Sequence, residues 1–208
     1  MTRRLDPFYP VVDSAACVRR MTGAGARLVQ LRVKERPEVF LRAEISDALA
    51  TCSAAGADLV VNDYWEIAID LGASFLHLGQ EDLDGADLKA IRAAGIRLGV
   101  STHTPEELDR ALSVDPHHIA LGPIWPTILK KMPFAPQGLE RIGVWKKTIG
   151  ERPLVAIGGL TPERARQCLA AGADVVAVVN DVVGAADPEA RAREWIDLTR
   201  IAAPAHAG

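Results

Sequence analysis

The stretch Gly172-Ala173-Asp174-Val175-Val176 has the form glycine, alanine, one polar residue, then an apolar β-branched run. Variants of this phrase, often but not always with the alanine, occur as Gly25-Ala26-Arg27-Leu28-Val29, Gly56-Ala57-Asp58-Leu59-Val60, Gly72-Ala73-Ser74-Phe75-Leu76 and Gly95-Ile96-Arg97-Leu98-Gly99. Its physical reading is a helix that ends on glycine in the left-handed conformation, which glycine adopts at little cost. A strand follows whose continuous apolar run marks it as covered on both faces, as in parallel sheets.

Working outward, eight such strands begin near Phe8, Leu28, Leu59, Phe75, Arg97, His118, Leu154 and Val175. Amphipathic helical stretches separate them. From Val39 to Ala55 the residues Val39, Leu41, Ile45, Ala48 and Leu49 recur at helical spacing. Thr104-Pro105-Glu106-Glu107 and Thr161-Pro162-Glu163 carry a cap followed by a first-turn proline. Strict alternation of strand and helix requires a parallel sheet, and eight units favour closure, so the expected fold is an α/β (β/α)₈ TIM barrel.

The 208 residues suit one domain at the short end for such a barrel, with a core from about 8 to 200 and a frayed Ala-rich tail over 201–208. No linker divides the chain. A net charge of −3 and the scatter of cations among acids offer no basic stripe for nucleic acid. No leader and no apolar run of membrane-spanning length is evident, so a cytoplasmic protein is expected. Cys17, Cys52 and Cys168 fall in helical segments without metal or redox spacing and read as buried free thiols.

Barrels carry their chemistry at the C-terminal ends of strands. After the second strand, Gln30, Arg32 and Lys34 share one face by alternation. Two cations and an amide there suit an anion, although an exposed strand end would read the same way. Asp63 after the third strand and Asp82 after the fourth are close enough in a barrel to suit Mg²⁺ on a diphosphate; helix capping is the competing reading. His77 reads as a packed core histidine, and Ser101 as a phosphate donor. His103 is an acid–base candidate with no evident carboxylate partner. Gly158-Gly159 stands where this fold usually binds phosphate. The segment from Gly122 to Gln137, with four prolines, Lys130, Trp125 and Phe134, reads as an ordered lid.

Taken in order, Gln30-Leu31-Arg32-Val33-Lys34, Asn62-Asp63, His77-Leu78-Gly79-Gln80-Glu81-Asp82, Gly99-Val100-Ser101, Gly122-Pro123-Ile124-Trp125-Pro126-Thr127 with Lys130, and Ala156-Ile157-Gly158-Gly159 resemble the thiamine phosphate synthase family from Tyr9 to about Thr199. That family joins a pyrimidine methyl diphosphate to a thiazole phosphate and releases pyrophosphate. The resemblance implies that Asp63 and Asp82 hold Mg²⁺, and that Gln30, Arg32, Lys34, Asn62, Ser101 and Lys130 bind the pyrimidine diphosphate. It implies Arg32, Lys34, Ser101 and Lys130 as the catalytic set. It further implies that Thr127, Gly158, Gly159, Val179 and Asn180 line the thiazole phosphate site. The family usually has hydroxyl residues where this chain has Ile128 and Leu129, and often serine in place of Asn180. Both departures fall on the thiazole phosphate side.

Two other functions fit the same barrel. One is an isomerase resembling thiazole tautomerase, which would use His103 and no metal. The other is a phosphate-ligand-binding paralogue without turnover. Retention of Asp63, Asp82, Arg32 and Lys34 argues against the isomerase, whose chemistry needs no diphosphate site. The oligomeric state stays open, a homodimer among the options.

Overall fold

The computed structural model describes residues 4–127 and 134–202. Its strands are β1 (Phe8–Val12), β2 (Leu28–Leu31), β3 (Asp58–Asn62), β4 (Phe75–Leu78), β5 (Arg97–Thr102), β6 (His118–Leu121), β7 (Leu154–Ile157) and β8 (Val175–Val178). Each pairs in parallel with its neighbours in chain order, and β8 pairs with β1, so the sheet is a closed eight-stranded barrel. The helices are α1 (Ala15–Gly23), α2 (Glu38–Ala55), α3 (Trp65–Asp70), α4 (Asp82–Gly85), α5 (Leu88–Ala93), α6 (Pro105–Ser113), α7 (Gly138–Ile149), α8 (Pro162–Ala170), α9 (Asn180–Val183) and α10 (Pro188–Ala202). Among the described residues no helix is long and apolar enough to cross a membrane.

The glycines of the recurring phrase all adopt positive φ, from +64° at Gly56 to +109° at Gly172. The hydroxyl of Thr104 accepts from Glu107 N at 3.2 Å and that of Thr161 accepts from Arg164 N at 3.4 Å, so both threonine–proline starts cap their helices. In α2 the buried stripe is Leu41, Ile45, Ala48 and Cys52, whereas Val39 is 82% exposed. Val39 lies two residues, about 200° of helix rotation, from Leu41, which takes it off that stripe. All three cysteines lie in helices and are free. Burial pushes the thiols of Cys52 and Cys168 up to about 12.

Alternate residues of the strands divide into two clusters. Tyr9, Val11, Leu28, Val60, Phe75, Ala120, Val155, Val175 and Ala177 fill the barrel interior. Leu31, Val61, Leu76, Val100, Ile119, Ala156 and Val176 face outward onto the helices, whose buried side chains include Trp145 and Trp195. This inner–outer division sends each strand's next inward residue to the C-terminal mouth of the barrel.

Candidate active site

At that mouth the inward positions turn polar. Gln30 (β2), Asn62 (β3) and His77 (β4) are buried at 6%, 5% and 7% exposure, and Ser101 (β5) is half-buried beside them. Gln30 Nε2 donates to the Tyr9 hydroxyl at 2.7 Å. His77 Nε2 shares a 2.8 Å hydrogen bond with Ser101 Oγ. Burial lowers the His77 pKa to about 4, so the ring is neutral near neutral pH. Asn62 Nδ2 and His77 Nδ1 are buried without hydrogen-bond partners among the described residues. Orphaned polar atoms at a strand mouth are what a polar ligand would satisfy.

The charged groups stand around this belt. Although β2 ends at Leu31, Arg32 N still donates to Val12 O at 2.7 Å. Alternation persists through the loop: Val33 is buried, while Arg32 and Lys34 are exposed. Lys34 Nζ lies 2.9 Å from Asp63 Oδ2. Asp63 holds a left-handed backbone at φ +68° and donates its N–H to His77 O at 3.0 Å. Burial raises the pKa of the neighbouring Asp82 carboxyl, and the Asp63 carboxylate raises it further. The Gly79 N–H and Lys34 oppose the rise. Gly79 N donates to Asp82 Oδ2 at 3.1 Å, and a Cβ on Gly79 would come within 2.8 Å of that oxygen. Neither aspartate caps a helix: Tyr64 precedes α3 and Glu81 precedes α4, both without a side-chain cap.

Two carboxylates held against each other, with one half-exposed ammonium beside them, form a donor set that fits Mg²⁺. That ion commonly takes one or two carboxylates and completes its shell with substrate oxygens and water. Among the described residues no cluster of three His, Cys, Asp or Glu side chains offers a cage made of protein alone.

His103 does have a carboxylate partner, contrary to expectation. Glu107 Oε2 accepts from His103 N at 2.6 Å and from Nδ1 at 2.8 Å. The Phe134 ring stacks on the imidazole, with centroids 4.3 Å apart and planes 6° from parallel. The long loop is fastened to the end of β7. Ile124 N donates to Ile157 O at 2.9 Å, Trp125 N donates to Gly158 O at 3.1 Å, and Gln137 N donates back to Pro123 O at 2.8 Å. Gly158 and Gly159 take φ values of +103° and +65°. A Cβ on either would come within 2.6 Å of the backbone of Pro123 or Pro126. The glycine pair therefore lets the loop lie directly on the strand end.

On the same side, half-buried Val179 ends the β8 run and exposed Asn180 opens α9. Thr127 is half-buried at the loop's last described position before 134. Lys130, with Ile128 and Leu129, lies outside the described residues. Four contributors were not foreseen from the sequence: Tyr9 behind Gln30, His77 as the partner of Ser101, Glu107 behind His103, and Arg164. Arg164 donates to Gly159 O at 2.6 Å. The inward alternation Tyr9–Val11 and the four-residue spacing of His103 and Glu107 were available signals. No spacing marks Arg164.

The fold agrees with what the chain is similar to. A model of the thiamine monophosphate synthase family matches residues 8–182. A thiamine-phosphate synthase of Rhizobium etli is 58% identical over 196 residues, covering 94% of this chain and 96% of the relative. One of Neisseria meningitidis is 51% identical over 183 residues, covering 88% and 89%. A solved thiamine phosphate pyrophosphorylase from Pyrococcus furiosus superposes with a TM-score of 0.85 at 25% identity, covering 95% and 96%. With the family model spanning every barrel strand and these relatives aligned nearly end to end, the chain belongs to the thiamine monophosphate synthase family.

Proposed function

We propose that this protein joins a pyrimidine methyl diphosphate to a thiazole phosphate, releasing pyrophosphate and forming thiamine phosphate. The relatives' names, thiamine-phosphate synthase and thiamine phosphate pyrophosphorylase, support this reading. The observation that carries it is the cluster of Lys34, Asp63 and Asp82 at the barrel mouth, beside Arg32 and the buried polar belt. Asp63 and Asp82 would hold Mg²⁺, which when bound neutralises charge on the departing pyrophosphate. Arg32, Lys34 and Lys130 add positive charge where negative charge develops as the C–O bond breaks. Gln30, Asn62 and Ser101 grip the pyrimidine diphosphate, with His77 orienting the Ser101 hydroxyl.

An aminopyrimidine is electron-rich enough to stabilise the methylene cation that remains, and the thiazole nitrogen attacks it. No side-chain nucleophile is required. Thr127, Gly158, Gly159, Val179 and Asn180 line the thiazole phosphate side. The partners are small molecules rather than nucleic acid or membrane, and the enzyme works in the cytoplasm. The feature that would favour an isomerase, the His103–Glu107 pair, has its ring face taken up by Phe134 in fastening the loop.

A drop-out series tests the proposal. The joined product, detected by mass, should require the pyrimidine diphosphate, the thiazole phosphate and Mg²⁺ together, and chelation should abolish it. Product formation without Mg²⁺ removes the metal assignment. No product from the complete mixture removes the function.

A further inference from the structure

Several arginines of this protein pair with a carboxylate: Arg19 with Asp47, Arg42 with Asp70 and Glu38, and Arg191 with Asp181 and Glu194. Arg164 does not. It is half-buried, and among the described residues no Asp or Glu forms an ion pair with it. Its guanidinium is nonetheless held in place. One NH₂ group donates to Gly159 O at 2.6 Å, and the guanidinium carbon lies 5.3 Å from the centroid of the Trp125 ring. Trp125 is itself fixed to the end of β7 through Gly158 O. The side chain starts from the first turn of α8, where Thr161 caps Arg164 N, so the helix dipole adds to its positive potential. The nearest acid in sequence, Glu163, directs its carboxylate to Thr161 Oγ1 at 3.0 Å.

A guanidinium carries five N–H donors in a fixed fork, and one carbonyl cannot satisfy them. Partial burial of this cation without a counter-charge costs free energy that an anionic ligand would offset. The position is the rim between Gly159 and Trp125, on the side where Thr127, Gly158 and Gly159 gather. In the adjoining sequence, Ile128 and Leu129 bring no side-chain donors. We propose that Arg164 binds the phosphate monoester of the second substrate, and so sets the preference for the phosphorylated thiazole over its free alcohol. The Trp125 stack and the Gly159 carbonyl orient the fork in advance. Within the synthase this residue is a binding and specificity determinant. The identity of the second substrate rests on the function proposed above, whereas the anion site rests on Arg164 itself.

Titration calorimetry on wild type, Arg164→Gln and Arg164→Lys would test this with three probes: thiazole phosphate, the thiazole alcohol and inorganic phosphate. Glutamine keeps an amide N–H donor but removes the charge and the guanidinium fork. Arg164→Gln should weaken thiazole phosphate by roughly 10- to 150-fold, the value of a charged hydrogen bond. It should leave the alcohol and the pyrimidine diphosphate unchanged, and Arg164→Lys should recover part of the loss. Equal weakening of phosphate and alcohol, or no weakening of either, overturns the proposal and reduces Arg164 to a loop support. If wild type makes no product, the synthase reading fails separately. In that case inorganic phosphate bound by wild type and lost in Arg164→Gln still upholds the anion site, and unchanged phosphate binding overturns it.

Discussion

Lys34 Nζ stands 2.9 Å from Asp63 Oδ2, and Asp63 reaches this position in a left-handed backbone conformation uncommon outside glycine. Strain of this kind concentrates where surrounding structure and function demand it. Here it turns a carboxylate towards both a lysine and a second carboxylate, that of Asp82.

Asp63→Asn and Asp82→Asn should therefore each lower kcat at least ~100-fold at limiting Mg²⁺, as loss of metal-site groups does. Asparagine tolerates the left-handed conformation at 63, so the fold should persist by circular dichroism. A variant that keeps the wild-type rate across a Mg²⁺ titration would show that its carboxylate holds no metal.

Gly99 faces the buried His118 ring across the β5–β6 pair, and a Cβ there would overlap the imidazole. Gly99→Ala should cost about 1–3 kcal/mol, as overpacking does. Urea unfolding measures this. Adding His118→Ala relieves the overlap, so the double variant should be less destabilised than the sum of the singles. Simple additivity would mean that the ring moves aside freely.

His118 is fully buried, and its pKa is lowered well below 6.5 by burial first and by its neighbours His77, His117 and Arg97 next. The unfolded chain protonates this residue at a higher pH than the folded protein does. Its contribution to stability is thus complete above about pH 6.5 and is lost as pH falls, at up to about 1.4 kcal/mol per pH unit. Unfolding free energies from pH 8 to 5 should decline on the acid side, and His118→Phe should flatten that decline. An identical pH profile in the variant would assign the acid sensitivity to other groups.

The stack of Phe134 on His103 makes a separate distinction. If His103 anchors the loop, His103→Phe preserves the ring contact and should keep kcat within about threefold. His103→Ala should lose up to about tenfold, the scale of one aromatic pair. Loss of all activity in His103→Phe would instead mark His103 as a proton-transfer group.

The barrel was legible because its strands are buried on both faces. Five of them read as a run after a positive-φ glycine, and strand starts such as Phe75, Arg97, His118, Leu154 and Val175 coincide with the observed ones. The threonine–proline caps were legible because capping is a local interaction. The site was legible where alternation carries a side chain inward, as at Gln30, Asn62 and His77. It was less so where a loop conformation decides direction. The reach of Lys34 to Asp63 depends on the backbone after β2, and Arg164 is aimed by a tryptophan 39 residues earlier in sequence. Glu107 was hidden by its position in an apparent capping sequence, where its carboxylate serves His103 instead.

The most direct measurement follows both products in one reaction of the purified chain with the pyrimidine diphosphate, thiazole phosphate and Mg²⁺. Pyrophosphate and thiamine phosphate should appear together in equal amounts from the first turnover. Pyrophosphate released without thiamine phosphate, or neither product formed while a thiazole is isomerised, would contradict the account.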